Sequence, residues 1–173
     1  ALQKMPLEIS QRIRCFIVGD RPSHYSATLH QMAQELPARM RERVHIVPET
    51  DNIVCYYLAA DVFVCTSRVE SFPRVVLEAM FFGLPVLAAR VFGVVEQVHE
   101  NVNALLYDPG DTVALARHLQ SLIDDDALRE RMASNSPHVL ATLNTYDEMV
   151  EAYGEVFREA ALTTPIATVS TST

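Results

Sequence analysis

Residues 60–90 read ADVFVCTSRVESFPRVVLEAMFFGLPVLAAR, and this stretch decides the fold. Val62–Cys65 is a short, continuously apolar run of the kind that forms a strand buried on both faces. Thr66–Phe72 is a turn. Pro73 stands where the first turn of a helix tolerates a missing N–H, and the residues after it predict a helix to about Phe82, ended by Gly83. Leu84–Ala88 is then another strand. Strand, helix and strand in that order make a βαβ unit, whose strands run parallel.

The same alternation runs outward. Upstream, Arg14–Val18 (RCFIV) reads as a buried strand ending at Gly19. Tyr25–Leu36 carries Leu29, Met32, Ala33 and Leu36 at helical spacing and is closed by Pro37. Val44–Val47 (VHIV) is a strand, and Asn52–Ala60 a short helix with Asn52 as its cap. Downstream come a brief helical piece at Val94–Val98, a short strand at Leu105–Tyr107, and helices over Thr112–Ile123, Ala127–Ala133 and Tyr146–Ala161. The expectation is an α/β fold, a Rossmann-like parallel sheet sandwiched by helices, formed by residues 1–161 as one domain. The Thr/Ser-rich tail, 162–173, has no apolar periodicity and is expected to be disordered. In such sheets ligands bind beyond the carboxyl ends of the strands. Gly19, Thr66–Phe72 and Arg90–Gly93 all follow strands, so they are expected on one edge.

Composition narrows the function. The chain has 173 residues, 49% hydrophobic and 21% charged, ordinary for a globular protein with a sizeable core. A formal net charge of −8 argues against a large nucleic-acid footprint. It leaves room for a small anion at one locally positive loop or helix end. No run is apolar enough to cross a bilayer, and no signal pattern opens the chain. Cys15, Cys55 and Cys65 are isolated in apolar stretches and read as buried free thiols in a reducing compartment, so a cytoplasmic location is expected. No histidine spacing suggests a metal, and Asp124–Asp126, between two helices, reads as helix termination and capping.

Two glutamates raise the chemical question. Glu78 sits among Val75, Val76, Leu77, Ala79 and Met80, where an unpaired charge is costly. Glu70 lies eight residues earlier, in the strand-to-helix loop. Between them, Ser71 to Val75 form a helix N-terminus whose free N–H groups and dipole favour an anion, with Arg68 and Arg74 adding positive charge. Carboxylates on either side of an anion site suit a ligand with hydroxyls flanking a diphosphate. The spacing alone leaves the simpler reading open, a solvated helix residue and an ordinary loop charge. Arg90, after a strand, could meet phosphate or form a surface ion pair.

The ordered combination is more specific than the pair. Ala60-Asp61 precedes a strand, Ser67 follows it, and then come Glu70-x-Phe72, Glu78-Ala79-Met80 and Gly83-x-Pro85-Val86. Gly93 with Glu96, and the Pro109-Gly110-Asp111 loop, complete the series. With the upstream IVGD and Pro22, and the downstream ALARHLQSLIDDDALRERM, this stretch resembles the donor-binding, carboxy-terminal half of the GT-B glycosyltransferases. It is most similar to the large retaining family often called family 4, over about residues 12 to 160.

The resemblance implies a hexosyl transfer, with retention, from a nucleoside-diphosphate sugar to a hydroxyl acceptor. It implies that Glu70 contacts the transferred sugar and Glu78 the ribose. The loop and helix start, Ser71, Phe72, Arg74 and Val75, would face the diphosphate, with Gly19 leaving space nearby. Backbone around Val47, Pro48, Glu49 and Thr50 would sit beside the nucleobase. Arg68 and Arg90 are the further phosphate candidates. No metal or other cofactor is implied, since the nucleotide-sugar is a co-substrate. The expected partner is an amino-terminal acceptor domain, through which peripheral membrane contact could be made. The Arg and Lys that hold the diphosphate in that family have no match here, so turnover by these residues alone is not expected. Phe92 stands where a first glycine is common before Gly93, and Ala104 replaces a frequent glycine. Two other readings remain, a nucleotide-sugar-binding or interaction domain without turnover, and a sugar-nucleotide epimerase of the same fold.

Overall fold

The computed structural model describes residues 1–163 and divides into two compact units, Ala1–Leu140 and a second beginning at Ala141. The sequence boundary at residue 161 differs from this division. The first unit holds five strands: β1 Cys15–Asp20, β2 Val44–Pro48, β3 Phe63–Cys65, β4 Val86–Ala89 and β5 Ala104–Tyr107. Its helices are α1 Leu7–Ser10, α2 His24–Gln34, α3 Ala38–Arg41, α4 Ile53–Ala59, α5 Arg74–Phe81, α6 Val94–Gln97, α7 Thr112–Asp124 and α8 Asp126–Leu140. The second unit contributes α9, Tyr146–Thr163. Leu162 and Thr163 are therefore helical, and the rest of the tail, 164–173, lies outside the described residues.

Every strand pairing is parallel, and helices separate the strands, which is the expected α/β class. The expected single sheet is instead two. Among the described residues β1 pairs with β2 alone, and β3–β4–β5 form a separate three-stranded sheet. The reason lies in the edges. In a parallel ladder, alternate residues turn their N–H and C=O to opposite sides. Cys15 donates to the Arg43 carbonyl at 2.8 Å, so Cys15 and Ile17 face β2, while Phe16 and Val18 face away. Phe63 donates to the Pro85 carbonyl at 3.0 Å, so Val64 faces away from β4. No ladder joins these outward-facing groups.

Local chemistry sets the element ends. Ser23 caps α2, its hydroxyl accepting from the Ser26 N–H at 3.0 Å. Asp111 caps α7 twice over, accepting from Val113 and Ala114 at 3.0 and 2.9 Å. Asp125 ends α7 and accepts from Leu128 in α8 at 2.8 Å, so the Asp124–Asp126 run does cap. Asp124 takes Arg12 at 2.8 Å and Asp126 takes Arg129 at 2.7 Å.

Burial is uneven. All residues of β4 and β5 are buried, clustered with Val76 and Met80 of α5, Leu115 and Leu122 of α7, and Met132 and Val139 of α8. Each fully buried side chain of this size contributes about 1.5–3 kcal/mol. Buried Ser136 donates to the Leu84 carbonyl at 2.6 Å, tying α8 to the start of β4. In β1, by contrast, Phe16 is 49% exposed, its ring stacked on His45 with centroids 4.8 Å apart. The cysteines divide similarly. Cys65 is buried and Cys15 partly so, but Cys55 is exposed, because α4 turns Tyr57 rather than Cys55 into the core.

Candidate functional site

The loop between Glu70 and α5 is held from behind by the turn that enters α6. Gly93 has φ +63°, and a Cβ built there would stand 1.7 Å from the Ser71 carbonyl oxygen and 2.8 Å from the Phe72 nitrogen. Only a glycine lets these backbones meet. Four residues on, Gln97 is completely buried and donates through Nε2 to the Pro73 carbonyl at 3.1 Å, while its Oε1 has no partner among the described residues. The turn and the loop after β3 thus lie together, as their positions after strands predict. Phe92, in place of a glycine, is 84% exposed, so the close approach is made by Gly93 alone.

Glu70 is half-buried and, among the described residues, has no hydrogen-bond or ion-pair partner. Ser71 and Phe72 are exposed beside it, as are Arg74 and Val75 in the first turn of α5. Arg68 is exposed in the same loop. These residues form an open, partly positive surface around the amino end of α5, where unpaired N–H groups gather. Pro73 begins the helix without a side-chain cap, which leaves those donors uncovered by any side chain of that residue.

Glu78 is explained differently from Glu70. Its Oε2 accepts a hydrogen bond from the Tyr57 hydroxyl at 2.9 Å, and Arg74, one turn earlier, approaches Oε1 at 3.9 Å. The carboxylate remains 38% exposed. A charge in this apolar helix is thus paired, and still open to water. Burial first, and the hydrogen bond to Glu78 second, push the Tyr57 phenol above its ordinary range, so it stays a neutral donor.

A second cluster lies at the end of the β1–β2 pair. Gly19, at φ +98°, belongs to an irregular register between Val18 and Asp20, and a Cβ there would meet nothing. Val47 pairs with Val18 and Pro48 with Asp20, while Glu49 donates its N–H to the Asp20 carbonyl at 3.3 Å. Gly19 and Val47–Thr50 are therefore neighbours. The Glu49 carboxylate is gripped by the Arg21 guanidinium, whose hydrogen bonds and charge hold its pKa low. Thr50 accepts from the Asn52 N–H at 3.1 Å. Asp20 is held by Ser26 at 3.0 Å and His30 at 2.9 Å. No recorded hydrogen bond or ion pair links this cluster to the Glu70 loop among the described residues.

Arg90 is committed elsewhere. It pairs with Glu100 at 2.5 Å and approaches Asp108 at 4.0 Å, which is the ion-pair alternative weighed for it. Sequence reasoning named Gly93 but missed Gln97. A buried glutamine whose partner is a backbone carbonyl 24 residues away leaves no spacing to read. Among the described residues no helix is long and apolar enough to cross a membrane.

The family described as "Glycosyl transferases group 1" matches residues 1–139. A D-inositol 3-phosphate glycosyltransferase of Xylanimonas cellulosilytica is 32% identical over 167 residues, covering 95% of this chain and 39% of that protein. The lipopolysaccharide core biosynthesis glycosyltransferase LpsD of Rhizobium meliloti is 32% identical over 142 residues, 82% of this chain and 40% of its own. The chain thus spans about two fifths of these relatives' length. Among solved structures, Anabaena Alr3699/HepE in complex with UDP superposes with a TM-score of 0.78 at 26% identity, over 91% of this chain and 43% of that one. Its complex with UDP-glucose gives 0.75 at 27%, over 88% and 43%. The C-terminal domain of a Francisella tularensis glycosyl transferase group 1 family protein (LpcC) shares the fold, with a TM-score of 0.66 at 23% identity over 78% of this chain and 76% of that one. By a family match that takes in all five strands, the loop and both glutamates, this chain belongs to the group 1 glycosyl transferases.

Proposed function

We propose that residues 1–140 bind a nucleoside-diphosphate sugar, with UDP-glucose the first candidate, as the donor half of a retaining, family 4 type hexosyltransferase acting on a hydroxyl acceptor. The observation that carries this reading is Glu70, a half-buried carboxylate without a partner among the described residues, beside a backbone loop braced by Gly93 and Gln97. The UDP and UDP-glucose bound by Alr3699/HepE support the choice of nucleotide and sugar.

On this reading the Glu70 carboxylate accepts hydrogen bonds from sugar hydroxyls and fixes the ring's orientation. Glu78 accepts from the ribose through its half-exposed Oε1, which Arg74 approaches at 3.9 Å, while Tyr57 holds Oε2. The departing diphosphate is stabilised by the amides at the start of α5, with Arg74 and Arg68 nearby. Fixed donors are most effective when aimed at charge that grows during the reaction. No protein nucleophile is assigned, and the leaving phosphate accepts the acceptor's proton. The chemistry is metal-independent, and the acceptor is bound by a partner half outside these residues.

Titration calorimetry with UDP-glucose and UDP tests the reading. Glu78→Ala should weaken both ligands equally, by about 1–3 kcal/mol, since both carry the ribose. Glu70→Ala should weaken UDP-glucose alone. Equal losses for both ligands in Glu70→Ala, or unchanged affinity in Glu78→Ala with the fold intact, would remove the assignments.

A further inference from the structure

A second concave surface lies at the amino ends of β3 and β4, the edge of their sheet opposite the Glu70 loop, which follows the carboxyl end of β3. Three helices meet there. The Tyr57 and Phe82 rings stack 5.2 Å apart at 7°, joining the carboxyl ends of α4 and α5. A Cβ on Gly83 would stand 3.8 Å from the Ala133 carbonyl oxygen, and Ser136 donates to the Leu84 carbonyl at 2.6 Å, so α8 closes the third side. Between them is a hollow of about 360 Å³, within the range of small-ligand pockets. Tyr57 is fixed at both ends, by this stack and by its hydroxyl bond to Glu78 at 2.9 Å. The wall is therefore formed before any ligand arrives.

The lining is apolar and negatively charged. Phe82 and Pro85 supply apolar area, and Leu58 beside them is left 70% exposed. Asp61 and Glu130 also line the hollow, and neither carboxylate has a recorded partner among the described residues. Both α4 and α5 end here, at Ala60 and Phe82, with no basic residue in either last turn. Neither helix thus compensates the negative end of its own dipole. Arg129 is the one cation among the lining residues, and it is committed already, to the Leu122 carbonyl at 2.8 Å and to Asp126 at 2.7 Å.

We propose that this hollow binds a small planar organic cation, an amidinium or guanidinium carried on a flat apolar group. The flat group would lie against Phe82, Pro85 and Leu58. The cation would face the Asp61 and Glu130 carboxylates and the two helix ends. Planar cations suit both surfaces, since they pair with carboxylates through a fork of N–H donors and also stack on aromatic faces. A neutral ligand of the same shape would gain the apolar contacts alone, and an anion would be repelled. No residue from Glu70 to Val75 takes part, so the hollow stands whether or not that loop binds a donor.

Benzamidine is the probe and benzamide, neutral and of nearly the same shape, the control, each titrated into the full chain at low salt and followed by amide NMR. Benzamidine should give saturable shifts at Leu58, Asp61, Gly83 and Ala133. Affinity should be about fivefold or more weaker for benzamide, and weaker by a similar factor for benzamidine in Asp61→Asn/Glu130→Gln. Rising salt should weaken benzamidine and leave benzamide unchanged. Both carboxylates are exposed, so these substitutions should spare the fold, and the salt series needs no variant. Benzamide binding as tightly as benzamidine, or benzamidine affinity that neither the double variant nor salt alters, overturns the proposal. So do benzamidine shifts that never saturate, or that gather at the Glu70 loop instead.

Discussion

A methyl group added at Gly93 would lie 1.7 Å from the Ser71 carbonyl oxygen, and the residue's φ of +63° strains any L side chain. Gly93→Ala must therefore distort the turn or push the loop away, and we expect a loss of about 2–4 kcal/mol in urea denaturation. A variant within about 0.5 kcal/mol of the parent would show that the backbones do not touch. Gln97 acts beside it by fixing the Pro73 carbonyl. Asp20 gives the clearest pH dependence. Hydrogen bonds from His30 first and Ser26 second hold its carboxyl below the ordinary value of 3.8. The unfolded chain then takes up the proton first, so the contribution of Asp20 is complete above that value and fades as pH falls through the lowered one. Asp20→Asn should flatten the acid limb of a stability-against-pH curve. An unchanged slope below pH about 4 would show that the carboxyl is not held by these partners.

At the scale of elements, α7 depends most visibly on one side chain. Asp111 satisfies two of its four free N–H groups, at 3.0 and 2.9 Å, and the amides of Ala114 and Val113 keep the carboxyl ionised. Asp111→Ala should cost about 1 kcal/mol, and Asp111→Asn much less, by thermal melting with the core untouched. Equal losses in the two variants would deny the cap. The long elements were legible in the sequence because their signals are local. Pro73 and Gly83 bracket α5 at Arg74–Phe81, and the apolar runs find all five strands within two residues. The misses are physical as well. α1 and α3, like α6, are four residues each, too short for a periodicity to show, and unlike α6 they have no glycine turn before them to mark a start. α8 runs on to Leu140 through Pro137, where packing of Met132, Ser136 and Val139 overrides a residue that usually ends helices.

For the whole molecule, a single sequence showed strands and helices but not which strands meet. Register and adjacency depend on partners far along the chain, and the division into two sheets has no local signature. The candidate site was legible for the same reason the elements were: Glu70, Ser71, Phe72 and Glu78 lie within nine residues, and one strand-to-helix turn places them. The brace behind them, from residues more than twenty positions downstream, was legible only in Gly93.

The unequal burial of β1–β2 and β4–β5 also divides the molecule by resistance to opening. Regions with few buried apolar side chains open locally at a small fraction of the global free energy. Native-state exchange in rising urea should show Ile17 and Val47 amides opening well before those of Leu87 and Leu105. A single merged transition would refute this. On the proposed reading the residues beside the nucleobase, Val47–Thr50, belong to the half that opens first. A donor would then act as a latch on that half: its first thermodynamic trace would be a rarer partial unfolding there, ahead of any rise in the melting temperature.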